Sequence, residues 1–451
     1  MNLQDYVRQM YGTNKPFWFV EEQSIYNNAD RVREVQEIKH YLSGEHKIKQ
    51  RPYFKYNGEL IEPRRVVINM AKTIIHFKSQ YLLKNPMTLI GNEEMISRFT
   101  DINKVAKYDD KNTKILTQLI KYGQVAEYVF IDANGDINSK IIDSENGTPI
   151  WNNNGELIGF IESYVYNGIT YWFVYDENTV NEYTNEGGAP KHVATHISIS
   201  GLPIVYKTDN ELVETSGHSE LLDWIGILDN MEDILSKYSD AFYKFMNPIP
   251  VVTGQQLRDA IPQEVVGGGI TLDDGADFKF EQTNLDFNTF RELYKTLNQT
   301  LLDVSNTPAV SMNKTDVSNL SEVSIKMLFS LADTSAGLYE TYMKYGLVER
   351  YIRIAKLLKY VRGGRISREQ LITLDFKFQY NTPSNNKEVM ENLKRQREMG
   401  AISVESIIEQ SPYTSDIPLE KQRLEIEKVQ GNVTGELVNE VVDKVEVVPE
   451  E

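Results

Sequence analysis

The stretch "LLDVSNTPAVSMNKTDVSNLSEVSIKMLFSLA", residues 301–332, joins two long helical patterns through a short segment without apolar periodicity. The first pattern ends at "SNTP", and the second begins at Asn319, which has capping-box spacing to Glu322, with asparagine in place of serine or threonine. A single lysine, Lys314, lies in the middle of the segment. The stretch therefore predicts a short loop whose cation either contacts an anion or serves solubility alone.

The helix before this loop resembles an earlier helix in its apolar spacing. In 216–250, apolar residues recur at steps of three and four, as in a coiled-coil seam, and Ser219 is placed to cap the helix. The pattern returns in 286–306, and the glycine-rich residues 251–285 between the helices indicate short strands. The predicted seams are Leu221, Ile225, Leu228, Met231, Leu235, Tyr238, Phe242 and Phe245, then Phe290, Tyr294, Leu297, Leu301 and Val304.

The rest of the chain combines helical patterns with one region of alternating residues. Three Asn-Gly pairs, a dipeptide that favours tight hairpins, predict an antiparallel sheet of five or six strands over about 124–184. The fold class is therefore α+β. The Asn-Gly pairs lie at 134–135, 154–155 and 167–168. Further helices are predicted over 24–50 with a break at "SGEH" (43–46), over 64–83, 104–122 and 320–361, and over 384–428 with breaks at Pro412 and Pro418, and a strand is predicted over 371–380.

Composition excludes several classes of function. The chain has 451 residues, a formal charge of -17 and no cysteine, so disulfides, thiolate zinc sites and cysteine catalysis are excluded. No uncharged apolar run reaches the length of a membrane span. The acidic charge also disfavours a protein that reads DNA sequence, because such proteins usually carry a basic face.

Motifs for catalysis or metal binding are weak or missing. No phosphate-binding loop with lysine and no G-x-S-x-G occurs. Residues 132–143 superficially resemble a calcium loop, but Ile137 replaces the required glycine, so a hairpin is favoured. His192 and His196 fall on a predicted strand, where they would share one face about 13 Å apart, too far for one zinc ion. We predict no catalytic residue, metal or cofactor.

Two charged helical patterns each allow two interpretations. In the helix over 216–247, Asp229, Asp233 and Asp240 share a pattern of steps of three and four with Lys237 and Lys244, which fits either a solvated face or an acidic wall facing a molecule that must not bind tightly. In the helix predicted over 344–368, a basic residue recurs every third position from 350 to 368, and this step drifts by about 60° each time. A solvated helix is favoured there over a nucleic-acid or protein contact.

The order of these elements resembles the portal proteins of tailed double-stranded-DNA bacteriophages of the long-tailed siphovirus type. The resemblance spans about 25–380 and includes the quoted loop and the start of the helix after it. The segments that carry it are "YLSGEHKIKQR" (41–51), "NMAKTIIHFKSQYLLKNPMTL" (69–89), "KYGQVAEYVFIDANGDI" (121–137), "LPIVYKTDNELVETSGHSELLDWIGILDNMEDILSKYSDAF" (202–242) and "SNTPAVSMNKTDVSNLSEVSIKMLF" (305–329).

The resemblance implies a subunit of a twelve-membered ring with a wing, a two-helix stem, a small βα clip, a tunnel loop and a helical crown. It places Asn313, Lys314 and Thr315 at the narrowest point of a DNA channel. The implied boundaries are wing 1–215, stem helices 216–247 and 286–307, clip 248–285, tunnel loop 308–319, long helix and return strand of the wing 320–383, crown 384–430, and an acidic tail 431–451 predicted to lack fixed structure.

The implied function is a non-catalytic conduit at one capsid vertex for DNA packaging and ejection. Its implied partners are other copies of the chain, double-stranded DNA, the large terminase subunit, a head–tail adaptor, and the major capsid and scaffolding proteins, without a membrane. The resemblance implies that the clip contacts the terminase or adaptor, and the residues expected to make this contact are Gln255, Gln256, Arg258 and Asp259. The implied location is the virion, with assembly in the bacterial cytoplasm.

Two alternatives stay open at this stage. A metal-dependent hydrolase would use carboxylates such as Asp273, Asp274 and Asp277. A non-viral scaffold would form a monomer or dimer instead of a large ring.

Overall fold

The computed structural model contains twelve α-helices and fourteen strands in the part of the chain that it describes. That part is residues 1–427 without 14, 57–58, 246–248, 254–276, 282–286, 310–321, 362–363, 384–385, 415–419 and 422. The helices are α1 Leu3–Tyr11, α2 Trp18–Gln23, α3 Tyr26–Ser43, α4 Met70–Leu83, α5 Glu93–Ala106, α6 Tyr108–Tyr122, α7 Glu220–Phe245, α8 Phe287–Val304, α9 Glu322–Val361, α10 Arg368–Ile372, α11 Asn386–Glu398 and α12 Val404–Gln410, with one 3-10 turn at Lys47–Gln50.

All strand pairs in the described residues are antiparallel. The strands are β1 Phe54–Tyr56, β2 Glu59–Ile61, β3 Thr88–Ile90, β4 Gln124–Ile131, β5 Ile137–Ile142, β6 Gly147–Trp151, β7 Leu157–Tyr166, β8 Ile169–Tyr175, β9 Thr179–Thr184, β10 Lys191–Ile197, β11 Ile204–Lys207, β12 Ile249–Thr253, β13 Asp277–Glu281 and β14 Asp375–Lys377. The larger sheets have the orders β10-β9-β8-β7-β6 and β11-β4-β5, and β1-β2, β12-β13 and β14-β3 form pairs.

The three predicted hairpins are confirmed, but the prediction of one sheet is wrong. The strands divide into a five-stranded and a three-stranded sheet, and the chain passes from β5 of one to β6 of the other. A single apolar core draws Ala126, Ile142 and Val205 from the smaller sheet and Phe160 and Tyr175 from the larger. Splitting the strands lets each sheet cover the apolar face of the other, which one flat sheet could not do.

The N-terminal helices cover a second apolar surface of the larger sheet. Leu3 of α1 and Phe19 of α2 join Ile161 and Trp172 of the sheet in one buried cluster. Beside it, the Glu22 carboxylate accepts hydrogen bonds from the hydroxyls of Tyr6 and Tyr11 at 3.0 and 2.7 Å. Burial and this carboxylate raise the pKa of both tyrosines, so the hydroxyls stay protonated donors.

One predicted helix break is confirmed, and other helix boundaries differ from those predicted. The helix expected over 24–50 is broken within "SGEH" (43–46), since α3 ends at Ser43 and Gly44 closes it with a left-handed φ of 97°. The helix expected over 104–122 begins four residues later, as α6, because residues 104–106 end α5 and Lys107 separates the two helices. The helix expected over 384–428 is interrupted between α11 and α12, where Gly400 has a φ of 72°. Residues 371–380 contain the end of α10 as well as β14, which pairs with β3.

The chain divides into two compact units. The first consists of Met1–Pro308 and Leu331–Asn381, and the second of Ala309–Ser330 and Thr382–Glu451. In the second unit, Lys421 contacts Glu409 of α12 at 3.1 Å. Among the described helices, none has the length and apolar character needed to cross a membrane.

Candidate functional site

The two predicted seam helices are present and meet through aromatic side chains. The rings of Tyr238 on α7 and Phe290 on α8 are stacked, with centroids 3.8 Å apart. Strand β12, which follows α7, pairs with β13, which precedes α8, and Ile249 lies opposite Glu281. The paired strands return the chain to the end of α7, so the two helices form one hairpin-like structural unit.

The predicted apolar seam of α7 is correct in its N-terminal half only. There Leu221, Leu228 and Met231 are fully buried, together with Trp224. In the C-terminal half, Leu235 and Tyr238 are partly exposed and Phe242 is 49% exposed. The buried positions in this half are instead Glu232, Ser236 and Asp240.

These three polar residues hold an extended segment, residues 64–68, which we call the strap. The backbone N–H groups of Arg64, Val66 and Ile68 donate to the side chains of Asp240, Ser236 and Glu232 at 2.8, 2.9 and 2.7 Å. Alternate residues of an extended chain are about 6.6 Å apart, and one α-helical step of four residues rises about 6.0 Å. The two spacings match closely enough for three consecutive hydrogen bonds.

The strap explains a wrong prediction about the helix expected over 64–83. That helix begins only at Met70, because the backbone donors of 64, 66 and 68 bind side chains of α7 instead of helical carbonyls. Apolar periodicity cannot reveal this, since Val66 and Ile68 fit either conformation.

A histidine contact and an ion pair reinforce the attachment of α7 to the N-terminal region. The buried His46 Nδ1 lies 2.6 Å from Glu232 Oε1, and its ring stacks on that of Tyr41 with centroids 3.9 Å apart. Arg51 contacts Asp240 Oδ2 at 2.7 Å. Both carboxylates that accept from the strap therefore also contact a basic side chain of residues 46–51.

The three acidic residues predicted to line a channel occupy different surroundings. Asp240 is buried against Arg51, and Asp229 contacts Lys47 at 2.9 Å with a side chain only 17% exposed. Asp233 contacts Lys237 of the next helical turn at 2.7 Å and is 41% exposed. An acidic channel wall on this helix stays a prediction, and of the three residues Asp233 presents the most carboxylate surface to solvent.

A buried lysine holds the N-terminal end of α7. Lys78 of α4 donates to Glu220 at 2.5 Å and to Ser335 of α9 at 3.1 Å, and its ammonium lies over the rings of Trp224 and Tyr339. Burial lowers the pKa of Lys78, and the Glu220 carboxylate opposes that shift. One cation thus connects α4, α7 and α9, and Ser219 caps α7 as predicted by accepting from Leu221 N–H at 3.2 Å.

A second buried ion pair connects α9 to the three-stranded sheet. Arg350 Nε donates to Glu127 Oε2 at 2.8 Å, and another nitrogen of its guanidinium donates to Asn112 at 2.6 Å. Glu127 also accepts from the hydroxyls of Tyr206 and Ser139 at 2.7 and 2.5 Å. Burial alone would lower the pKa of Arg350, but Glu127 together with the surrounding tyrosine hydroxyls more than offsets burial and raises the pKa, so the guanidinium stays charged.

This pair corrects the prediction of a solvated basic helix over 344–368. Arg350 is completely buried, and the side chain of Arg353 is 14% exposed and donates to the Ser200 carbonyl at 2.7 Å. Lys356 and Lys359, further along, are exposed as predicted. Gly346 allows α9 to lie close to β11, because a Cβ at this position would lie 2.2 Å from the Tyr206 ring.

The histidine pair was predicted correctly as part of a strand but wrongly as sharing one face. β10 has a bulge between His192 and Ala194, which shifts the alternation by one residue. His192 therefore lies beside Tyr183, with ring centroids 5.3 Å apart, and His196 lies 3.6 Å from Glu182. Because Tyr183 and Glu182 point to opposite faces of β9, so do the two histidines.

The turn over 132–143 is a hairpin, as predicted. Asp132 accepts from the backbone N–H groups of Asn134 and Asp136 at 2.9 and 3.0 Å, which closes the β4–β5 connection.

Some of the predicted functional residues lie outside the described part of the chain. They are the loop residues Asn313, Lys314 and Thr315, the clip residues Gln255, Gln256, Arg258 and Asp259, the carboxylates Asp273 and Asp274, and the tail 431–451.

Comparison with known proteins identifies one family. Residues 21–432 match the family model described as "Phage portal protein, SPP1 Gp6-like". No curated protein matches the chain. Similar solved structures include the neck of an empty GTA particle computed with C6 symmetry, with 9% identity, a TM-score of 0.46 and coverage of 75% of this chain and 91% of that one. The neck of a native GTA particle computed with C12 symmetry has 10% identity, a TM-score of 0.45 and coverage of 74% and 89%.

Proposed function

Because the chain belongs to the phage portal protein family of the SPP1 Gp6-like type, we propose that it forms the portal ring at one vertex of a phage capsid. The observation that carries the proposal is the family match, which extends over residues 21–432. The family is structural and non-catalytic, in agreement with the predicted lack of a catalytic site. The protein is thus a component of a phage particle and not an enzyme.

In the proposed ring, twelve copies contact one another head to tail. Such heterologous contacts close into a ring when the rotation between neighbours divides a full turn evenly. We assign α7 and α8 to the stem, the strands β12 and β13 and the residues between them to the clip, and the N-terminal region to the wing. The crown contains α11 and α12. The stacked helices α7 and α8 support this assignment, since they form one elongated unit.

The acidic charge suits a channel through which DNA must slide. Each phosphate that a protein neutralises adds affinity through counterion release, so a strongly basic wall would hold the DNA in place. A ring of chains that each carry a formal charge of -17 repels the polyanion and favours a central position. The acidic charge therefore supports a conduit for packaging and ejection.

We assign the residues around Lys314 to the tunnel loop, where one cation per subunit touches passing phosphates without trapping them. Lys314→Glu is expected to shorten the packaged DNA or reduce its retention while ring assembly stays intact. Lys191→Glu makes the same charge change on exposed β10 and is expected to leave packaging unchanged. Equal length and yield of packaged DNA in the two variants would contradict the role of Lys314.

The proposed partners of the ring are the large terminase subunit and the head–tail adaptor at the clip, with the major capsid and scaffolding proteins around it. The proposed location is the virion, after assembly in the bacterial cytoplasm. Replacing Arg258 and Asp259 together by alanine is expected to weaken terminase binding by intact rings. Unchanged binding in a pull-down with purified terminase would move the contact away from these residues.

The ring itself is tested first, by mass photometry and negative-stain imaging of the purified protein. The expected result is a particle near twelve or thirteen times the 51.9 kDa subunit mass, with a central hole. A stable compact dimer under the same conditions would contradict the proposed function.

A further inference from the structure

Helix α9 exposes a regular apolar face in the first compact unit, which we call the outer face. Its large side chains Leu331, Leu338, Tyr345 and Val348 are 49%, 54%, 76% and 40% exposed. Thr334 and Thr341 occupy exposed positions between them. The six positions follow one another at steps of 3, 4, 3, 4 and 3, the spacing of a coiled-coil seam.

The opposite face of the same helix is also apolar. Tyr339, Met343, Leu347 and Ile354 are almost completely buried, and Arg350 beside them is neutralised by Glu127. A surface helix of a monomeric protein normally carries charged residues on its solvent side. A helix that is apolar on both sides is typical of one that becomes buried in a larger assembly.

We propose that the outer face of α9 packs against a second copy of this chain and is a subunit contact in the ring. The inference rests on the proposed function, and it adds which surface is used. None of the six positions is charged, although the chain carries a formal charge of -17. Two copies repel each other across most of their surfaces, and an uncharged apolar strip is where they can approach closely.

The dimensions of the outer face fit the centre of an interface rather than a whole one. From Leu331 to Val348 the helix rises about 26 Å, and a helix with its side chains is about 10 Å wide. This strip of roughly 260 Å² is smaller than the roughly 800 Å² per partner that stable complexes usually bury. Surrounding polar surface of the subunit must therefore complete the contact.

The test uses the absence of cysteine from the chain, which makes an introduced thiol unique. Leu338→Cys places a thiol on the outer face, and Val165→Cys places one on β7 of the five-stranded sheet, at a residue that is 69% exposed. Each variant is reacted with a maleimide, first as assembled rings and then after dissociation to subunits. We expect assembly to slow labelling at position 338 at least tenfold and to leave position 165 unchanged.

Equal labelling rates at position 338 in rings and in subunits would overturn the inference. Slow labelling that persists in the dissociated subunit would also overturn it, because the face would then be covered by its own chain. Both outcomes leave the ring itself in place. Failure of the unsubstituted protein to form any ring would instead overturn the proposed function, and this inference with it.

A second measurement uses charge in place of a label. Leu338→Glu and Tyr345→Glu are expected to reduce the yield of rings at least tenfold, with subunits that keep the circular dichroism spectrum of the unsubstituted chain. Val165→Glu introduces the same charge on exposed β7, outside the outer face, and is expected to keep full yield. Rings formed at full yield by both outer-face variants would refute the subunit contact.

Discussion

The two halves of α7 are held in place by different forces. The N-terminal half buries Leu221, Trp224 and Leu228, while the C-terminal half buries Glu232, Ser236 and Asp240. Apolar burial contributes more stability per residue but has little directional preference. Hydrogen bonds contribute less and are directional. The first half of α7 therefore supplies stability, and the second half fixes the position of the helix along the strap.

The largest effect is expected from Trp224→Ala in the apolar half. Trp224 is 1% exposed, and its ring also lies beneath the Lys78 ammonium. Removing it leaves a large cavity, so the free energy of unfolding should fall by about 3–5 kcal/mol. Urea unfolding followed by circular dichroism measures this change, and a loss below about 1 kcal/mol would show that the apolar half is not the main source of stability.

Glu232→Ala should have the next largest effect. It leaves the His46 ring and the Ile68 N–H without their acceptor in a buried place, at a cost of about 2–3 kcal/mol. Glu232→Gln is the matched control, since it keeps an acceptor oxygen and should cost less. Hydrogen exchange of residues 64–68 should quicken in the alanine variant. Unchanged exchange there would contradict the role of Glu232 in holding the strap.

Ser236→Ala removes only the middle bond of the strap. Val66 N–H then loses its acceptor, and we expect a loss of about 1 kcal/mol with faster exchange centred on Val66. Exchange at Arg64 and Ile68 should change less, because their own acceptors remain. If all three amides quickened equally, the strap would open as one unit and the comparison would need revision.

Lys237→Ala should have the smallest effect. Lys237 lies on the same half of α7 but forms its ion pair with Asp233 at the surface, where both side chains are more than 40% exposed. Exposed pairs of this kind contribute about 0–1 kcal/mol, so unfolding and strap exchange should both stay near those of the unsubstituted protein. A loss as large as that of Ser236→Ala would mean that burial does not distinguish the two sides of the helix.

The sequence predicts best where a local signal determines the structure. The three Asn-Gly pairs identify hairpins because positive φ angles are a property of those residues themselves. The long helices around 216–250 and 320–361 are identified by periodicity that extends over many turns. Family membership was also predicted from element order, and the match over 21–432 confirms it.

The errors arise where a distant partner decides the conformation. Residues 64–69 have a helical pattern, but their backbone donors find acceptors more than 160 residues away on α7. Arg350 has the spacing of a surface charge, and only Glu127 on a strand far away in sequence makes its burial possible. The bulge in β10 likewise has no local marker of the usual glycine type. The sequence does contain one pattern that indicates the strap: the polar residues Glu232, Ser236 and Asp240 recur every fourth residue along α7.

That regularity has a mechanical consequence. Hydrogen-bond donors recur about every 6.6 Å along the strap, and acceptors recur about every 6.0 Å along α7. A slide of α7 by two residues breaks all three hydrogen bonds together, whereas a slide by four residues, about 6.0 Å, brings two acceptors back opposite two donors. Any movement of this helix along its axis would therefore proceed in steps of four residues, with unfavourable positions between them.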